Sequence, residues 1–306
     1  MSATHTVFVS AATGSQGSNL ARQLRSIGWA VHTTVRNPDT PAAKTLTGQG
    51  VELTVGDWDD EAALQASIAG CDMLFLNLSP SFQNLGSERV QARKILAVAK
   101  ASGVRHVVYS SGPAAKHIEK LPIWNASSLV GLTLLSKQAI EETLKEAGFE
   151  AWTILRGSTF MQNFLAPKVA MYAGLVDTNI WTMALLAGDK MPLVDANDIA
   201  KFAAAAFQDP ERFKGKDVVV VGDELTPEEI MECLSEETGR KLKFVALTDA
   251  EIEAQKAVNP LITAQLALRE LKNFMKAEES RSWGIPMATF KEFLAHNKDL
   301  VKQTYP

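Results

Sequence analysis

The feature that most constrains the fold is a rhythm in the first half of the chain. Short runs rich in β-branched residues stand at "TVFVSA" (6–11), "AVHTTVR" (30–36), "VELTVGD" (51–57), "DMLFLNL" (72–78), "RHVVYSS" (105–111) and "AWTILRG" (151–157). Between them lie stretches with helical spacing: Leu20, Leu24 and Ile27; Ala63, Leu64 and Ile68; Val90, Ile95, Val98 and Ala99; Ile140, Leu144 and Ala147. The last three are closed by Gly70, Gly103 and Gly148, at the position where a helix turns left-handed to stop. Strands alternating with helices imply a parallel sheet with right-handed crossovers. Strands that are apolar on both faces imply helices on both sides. The expected fold is therefore α/β, a doubly wound parallel sheet of Rossmann type, with ligands at the C-terminal ends of its strands.

The rhythm breaks after Gly157. "IWTMALL" (180–186), "GDKMPLVD" (188–195), a helix near 197–207, a strand "DVVVVG" (217–222), a helix opened by the capping box "TPEE" (226–229), a strand "KLKFVAL" (241–247) and three terminal helices follow. Residues 1–156 read as the nucleotide-binding domain. Residues 157–306 read as a smaller α+β substrate region over the C-terminal edge of the sheet, with some elements returning to it.

The 306 residues are 46% apolar and 22% charged, with a net charge of −4, a balance that argues against a nucleic-acid partner. No apolar run is long enough to span a membrane, and the first residues, "MSATHT", lack the basic and apolar segments of a secretory signal, so a cytoplasmic protein is expected. The two cysteines, Cys71 and Cys233, read as reduced structural thiols, and the scattered histidines leave no metal site in view.

The stretch "SAATGSQGSNLARQL" (10–24) follows the first strand and opens the first helix, the setting in which a glycine motif binds phosphate. It reads GxxGxxG with Ala11 in the first glycine's place. Gly14 lets backbone approach a pyrophosphate, Gly17 lets helix pack on strand, and the helix N-terminus attracts the phosphates, with Thr13, Ser15 and Gln16 as side-chain donors. Ala11 is tolerable if its φ is negative. The end of the second strand carries Arg36, followed by Lys44, where an NAD-binding chain has an acid for the ribose hydroxyls. A guanidinium there suits a 2′-phosphate, so the expected cofactor is NADP(H).

These residues resemble the NmrA-like family, a branch of the atypical short-chain dehydrogenase/reductases. The resemblance rests on "ATGSQG" (12–17), "VRNP" (35–38), "GD" (56–57), "ASGVRHVVYSS" (101–111), "SKQAIEETLKEAG" (136–148) and above all "WTILRGSTFMQNF" (152–164). Gly157 departs from the family's proline. The resemblance implies that Arg36 meets the 2′-phosphate, that Asp57 and Trp58 flank adenine, and that Asn77, Leu78 and Ser79 line the ribose and phosphate path. It further places Ser110 and Ser111 on the nicotinamide side, Lys137 at the nicotinamide ribose, and Gly157, Ser158, Thr159 and Phe160 against the ring, with Asn163 fixing that loop.

The short-chain dehydrogenases' Tyr-xxx-Lys pair is absent: none of Tyr109, Tyr172 and Tyr305 has a lysine four residues later. The best remaining acid or base is Lys137, on a helix expected to lean over the nicotinamide end. The same lysine could instead only orient ribose or stand in solvent. Trp124, Phe160, Met161, Phe164, Met171 and Trp181 could wall a pocket for a hydrophobic carbonyl, enone or quinone-like substrate, or could pack a core. Three readings stand at this point: an NADPH-dependent reductase; a dinucleotide-binding regulator acting through a protein partner; and a non-redox enzyme that keeps the cofactor as a structural element.

Overall fold

The computed structural model describes residues 5–306 except 82, 83, 85, 114, 117, 119, 120, 122–124, 257 and 260. Six strands, β1 (Thr6–Val9), β2 (Ala30–Val35), β3 (Glu52–Val55), β4 (Met73–Asn77), β5 (His106–Ser111) and β6 (Ala151–Gly157), run parallel. With β10 (Lys216–Val220) they form one seven-stranded sheet in the order β10-β6-β5-β4-β1-β2-β3. The direction of winding reverses between β1 and β4, which puts the ligand crevice at the C-terminal ends of those two strands. Ser10 fixes that crevice floor: its hydroxyl donates to Asn77 O (3.0 Å) and accepts from Asn77 N (2.7 Å).

The helices that cover the sheet are α1 (Ser15–Ser26), α2 (Pro41–Gly48), α3 (Glu61–Ile68), α4 (Ser87–Ala101) and α5 (Leu129–Glu146). Phe8, Leu74, Leu76, Val107, Tyr109 and Ile154 from the strands pack with Leu64, Ile68, Ile95, Leu96, Ile140 and Leu144 from the helices. Each such side chain contributes about 1.5–3 kcal/mol by leaving water. Two residues of the expected helical stripes do not join this core: Ile27 falls past the end of α1 and Val90 on the outer side of α4, and both are exposed. Cys71 is buried behind β4, and burial, with Asp72 and Glu52 nearby, pushes its thiol up to about 12, so it is inert.

The chain divides into two compact units. The first holds Met1–Ala115, Thr133–Arg156 and Ile199–Val218; the second holds Lys116–Leu132, Gly157–Asp198 and Val219–Pro306. The second is built on a small sheet in the order β11-β9-β7, from β7 (Thr159–Phe160), β9 (Met191–Val194) and β11 (Asp223–Leu225), and on a parallel pair, β8 (Ile180–Met183) with β12 (Lys243–Ala246). Its core centres on Phe164, edge-on to Trp181 (5.1 Å) and to Phe290 (5.3 Å), and Tyr305 donates from its hydroxyl to Phe164 O (2.8 Å). After β12, five helices are described where three were expected from the sequence. Among the described residues no helix is long and apolar enough to cross a membrane.

Candidate cofactor-binding site

The turn after β1 is shaped by close packing. A Cβ on Gly17 would lie 2.5 Å from Ala11 O and 2.7 Å from Ala12 Cα, so only glycine lets α1 start against the loop. Gly14 donates its N–H to Ala11 O (2.9 Å) and stands as the N-cap of α1. No side chain caps that helix and no acid lies in its first turn, so its positive end faces outward uncancelled. The expectation of a negative φ at Ala11 does not hold. Its φ is +51°, the left-handed region in which glycine would be at ease and a methyl costs about 1–2 kcal/mol.

An open cleft of about 920 Å³ lies over this turn. Its walls come from the C-terminal ends of four strands: Ala11 and Thr13 after β1, Thr34–Asn37 at the end of β2, Gly56–Asp59 after β3 and Ser79 after β4, with Gln91 from α4. Six residues read from the sequence as cofactor contacts therefore converge here: Ala11, Thr13, Arg36, Asp57, Trp58 and Ser79. Arg36 is exposed, and no hydrogen bond or ion pair to it is formed among the described residues. Lys44, by contrast, lies 3.7 Å from Asp39, both of them solvent-exposed. Asp57 is not free for a ligand on both sides: Oδ1 accepts from Asp59 N (2.8 Å) and Asp60 N (3.1 Å), which folds the loop that presents Trp58. Thr34 Oγ1 is buried at the cleft with no hydrogen-bond partner, a donor left for a ligand or water.

The remaining expected contacts of the first unit are held by their neighbours. Ser110 donates to Gln16 Oε1 (2.6 Å), tying the end of β5 to the first turn of α1. Ser111 donates to Glu141, whose carboxylate takes both terminal nitrogens of Arg156 at 2.7 Å, while Asp217 takes one of them at 2.8 Å. Lys137 is buried. Its ammonium donates to Leu78 O (2.9 Å) and to the Glu88 carboxylate, and sits 5.7 Å from the ring centre of Tyr109. Glu88 is completely buried and also accepts from Ser136 Oγ (3.2 Å). Neither Glu88 nor Gln91 was singled out from the sequence. A charged residue in the first turn of a helix gives no sign of being buried, because the partner that neutralises it lies 49 residues away.

In the second unit Ser158 donates its N–H to Val220 O (3.4 Å) and Thr159 pairs with Leu193, while the hydroxyls of both are buried without a partner. Gly157 precedes them at the end of β6, and Phe160 is half-buried with the Lys168 ammonium 5.7 Å from its ring centre. Asn163 is half-buried and bonds Tyr172. Met161, Phe164 and Trp181 are core rather than pocket wall: each is completely shielded, because they fill the space between the small sheet and its helices. Met171 is exposed, and Trp124 lies outside the described residues.

The sequence model of the NmrA-like family matches residues 3–294. The chain belongs to the NmrA-like family. It is 30% identical to an NAD(P)H azoreductase of Xenophilus azovorans over 79% of this chain and 77% of that protein. Among solved structures, an NADPH-dependent quinone oxidoreductase of Escherichia coli complexed with NADPH superposes with a TM-score of 0.72 at 23% identity, over 95% of this chain and 99% of the other. NmrA, a negative transcriptional regulator solved with NADP, superposes with a TM-score of 0.73 at 17% identity, over 99% and 96%.

Proposed function

We propose that this member of the NmrA-like family is an NADPH-dependent reductase that passes a hydride to a hydrophobic small molecule of the carbonyl, enone or quinone type. The observation that carries the cofactor is Arg36: an exposed guanidinium without a protein partner among the described residues, on the cleft wall at the end of β2, where an acid would select NAD(H). The uncapped start of α1 and the buried, unpartnered Thr34 hydroxyl fit the same ligand. The redox reading is supported by the family and by relatives named as an azoreductase and a quinone oxidoreductase. Bound NADPH would supply the hydride; the chain's part is to hold and orient it.

Proton transfer by a tyrosine has no support in this geometry. Tyr109, Tyr172 and Tyr305 are all buried, and burial is the leading cause that pushes each phenol above its ordinary value. The Lys137 ammonium faces the ring of Tyr109 and is engaged by Leu78 and Glu88. We assign Lys137 to the binding of the cofactor ribose, with its carbonyl and carboxylate partners setting its place. Among the described residues no tyrosine is placed to give up a proton, which is also what a regulator that only senses the dinucleotide would show. We place the protein in the cytoplasm, with a small hydrophobic molecule as its partner in the first reading and a protein in the second.

Titration with NADPH and NADH tests the cofactor assignment. Arg36→Ala should weaken NADPH by about ten- to a hundredfold, the worth of a charge-assisted bond, and leave NADH nearly unchanged. If NADH binds more tightly than NADPH and the variant does not alter that, the role of Arg36 is wrong. NADPH oxidation with a panel of quinones, azo dyes and enones tests the chemistry. Tight NADPH binding with no turnover of any of them leaves the regulatory reading standing.

A further inference from the structure

Lys137 and Glu88 do more than neutralise each other. Lys137, on α5, is bonded to Leu78 O at the end of β4 and to Glu88 in the first turn of α4. Leu78 is followed by Ser79, and Glu88 precedes Gln91 by one turn of helix; Ser79 and Gln91 both line the cleft. Ser136 donates to the second oxygen of Glu88 from the same helix α5, so the carboxylate is partnered on both sides. The buried ion pair and the bond to Leu78 O thus join the two segments that carry the cleft-wall residues Ser79 and Gln91.

A buried pair of this kind carries a desolvation cost, and apolar residues of the same size often stabilise a fold at least as well, so it adds little to stability. A charged pair fixes direction where an apolar contact does not: the ammonium must point at both oxygens at once. We propose that Glu88 is a positioning residue of the cofactor cleft, acting through Lys137 to lock the end of β4 to the start of α4 and so hold Ser79 and Gln91 in place. The inference rests on the reading of the cleft as the dinucleotide site. It assigns to Glu88 a role in binding, and makes the contribution of Lys137 to binding depend on Glu88.

The test is NADPH affinity, read by fluorescence titration, in Glu88→Gln, Glu88→Asp, Lys137→Met and the double variant Glu88→Gln/Lys137→Met, each with its melting curve. Glu88→Gln and Lys137→Met should each weaken NADPH by about tenfold. The double variant should be no weaker than either, because both remove one link. Glu88→Asp, which keeps the charge, should recover most of the affinity. Should the single variants fail to fold, Glu88→Leu/Lys137→Met removes both charges without stranding one, and should fold yet bind NADPH about tenfold more weakly. Parent-like affinity in folded Glu88→Gln or in Glu88→Leu/Lys137→Met overturns the proposal, as does a double variant whose loss is the product of the two single losses. A parent protein that binds no dinucleotide overturns the proposed function and this inference together; a parent that binds NADPH while Glu88→Gln binds it equally well overturns only the inference.

Discussion

Ala11 shows what one side chain can cost a site. Its backbone is left-handed, at φ +51°, because the turn after β1 must bring Ala11 O within reach of Gly14 N while leaving room for Gly17. Ala11→Gly relieves the methyl's strain of about 1–2 kcal/mol and gives back about 0.5–1 kcal/mol in the freedom of the unfolded chain. The net expectation is a gain of up to about 1.5 kcal/mol in urea unfolding, with the loop geometry unchanged; a loss of stability would mean that the turn does not need the left-handed residue. The place of Arg36 at the end of a strand, where the cleft opens, was legible from the sequence. The burial of Lys137 was not, since a lysine at helical spacing reads the same whether it faces water or a carboxylate.

Elements were legible where a local signal and an apolar face marked them together. The capping box at Thr226 forms as expected, with Thr226 Oγ1 accepting from Glu229 N and Glu229 Oε2 accepting from Thr226 N. Helix α2 escaped notice although it carries its own marks, Thr40 as N-cap and Pro41 in its first position, because its apolar face is only Ala43 and Leu46. Between β5 and β6, His106 Nε2 lies 3.4 Å from Thr153 Oγ1 while Nδ1 has no partner. Burial lowers its pKa from 6.5 to about 4. The unfolded chain therefore binds more protons between those values, and stability is full above about pH 6.5 and falls progressively as the pH drops to about 4. The loss is about 3 kcal/mol. Denaturant unfolding across that range should show this slope in the parent, and His106→Gln should remove that part of it; an unchanged slope would place the titration elsewhere.

At the scale of the whole molecule, the cleft lies within the first unit, built from residues between Ala11 and Gln91. A ligand there stabilises the folded chain by mass action. NADPH at about a hundred times its dissociation constant should add about 2.7 kcal/mol and raise the melting midpoint by several degrees; NADH at the same concentration should add less. Equal shifts would contradict the selectivity assigned to Arg36. The two units interleave in sequence, and one boundary between them, Leu132 to Thr133, falls within the helix α5. By itself the sequence determined the parallel sheet, the glycine turn between β1 and α1 and the place of Arg36 at the end of β2, because strand alternation, turn chemistry and the end of a strand are local properties. Only the tertiary structure decided that Ala11 is left-handed, that Met161, Phe164 and Trp181 are core, and that Glu88 holds Lys137 against β4. Each of these depends on which distant residue fills the space beside the side chain, and burial and charge pairing across tens of residues leave no periodic trace in the chain.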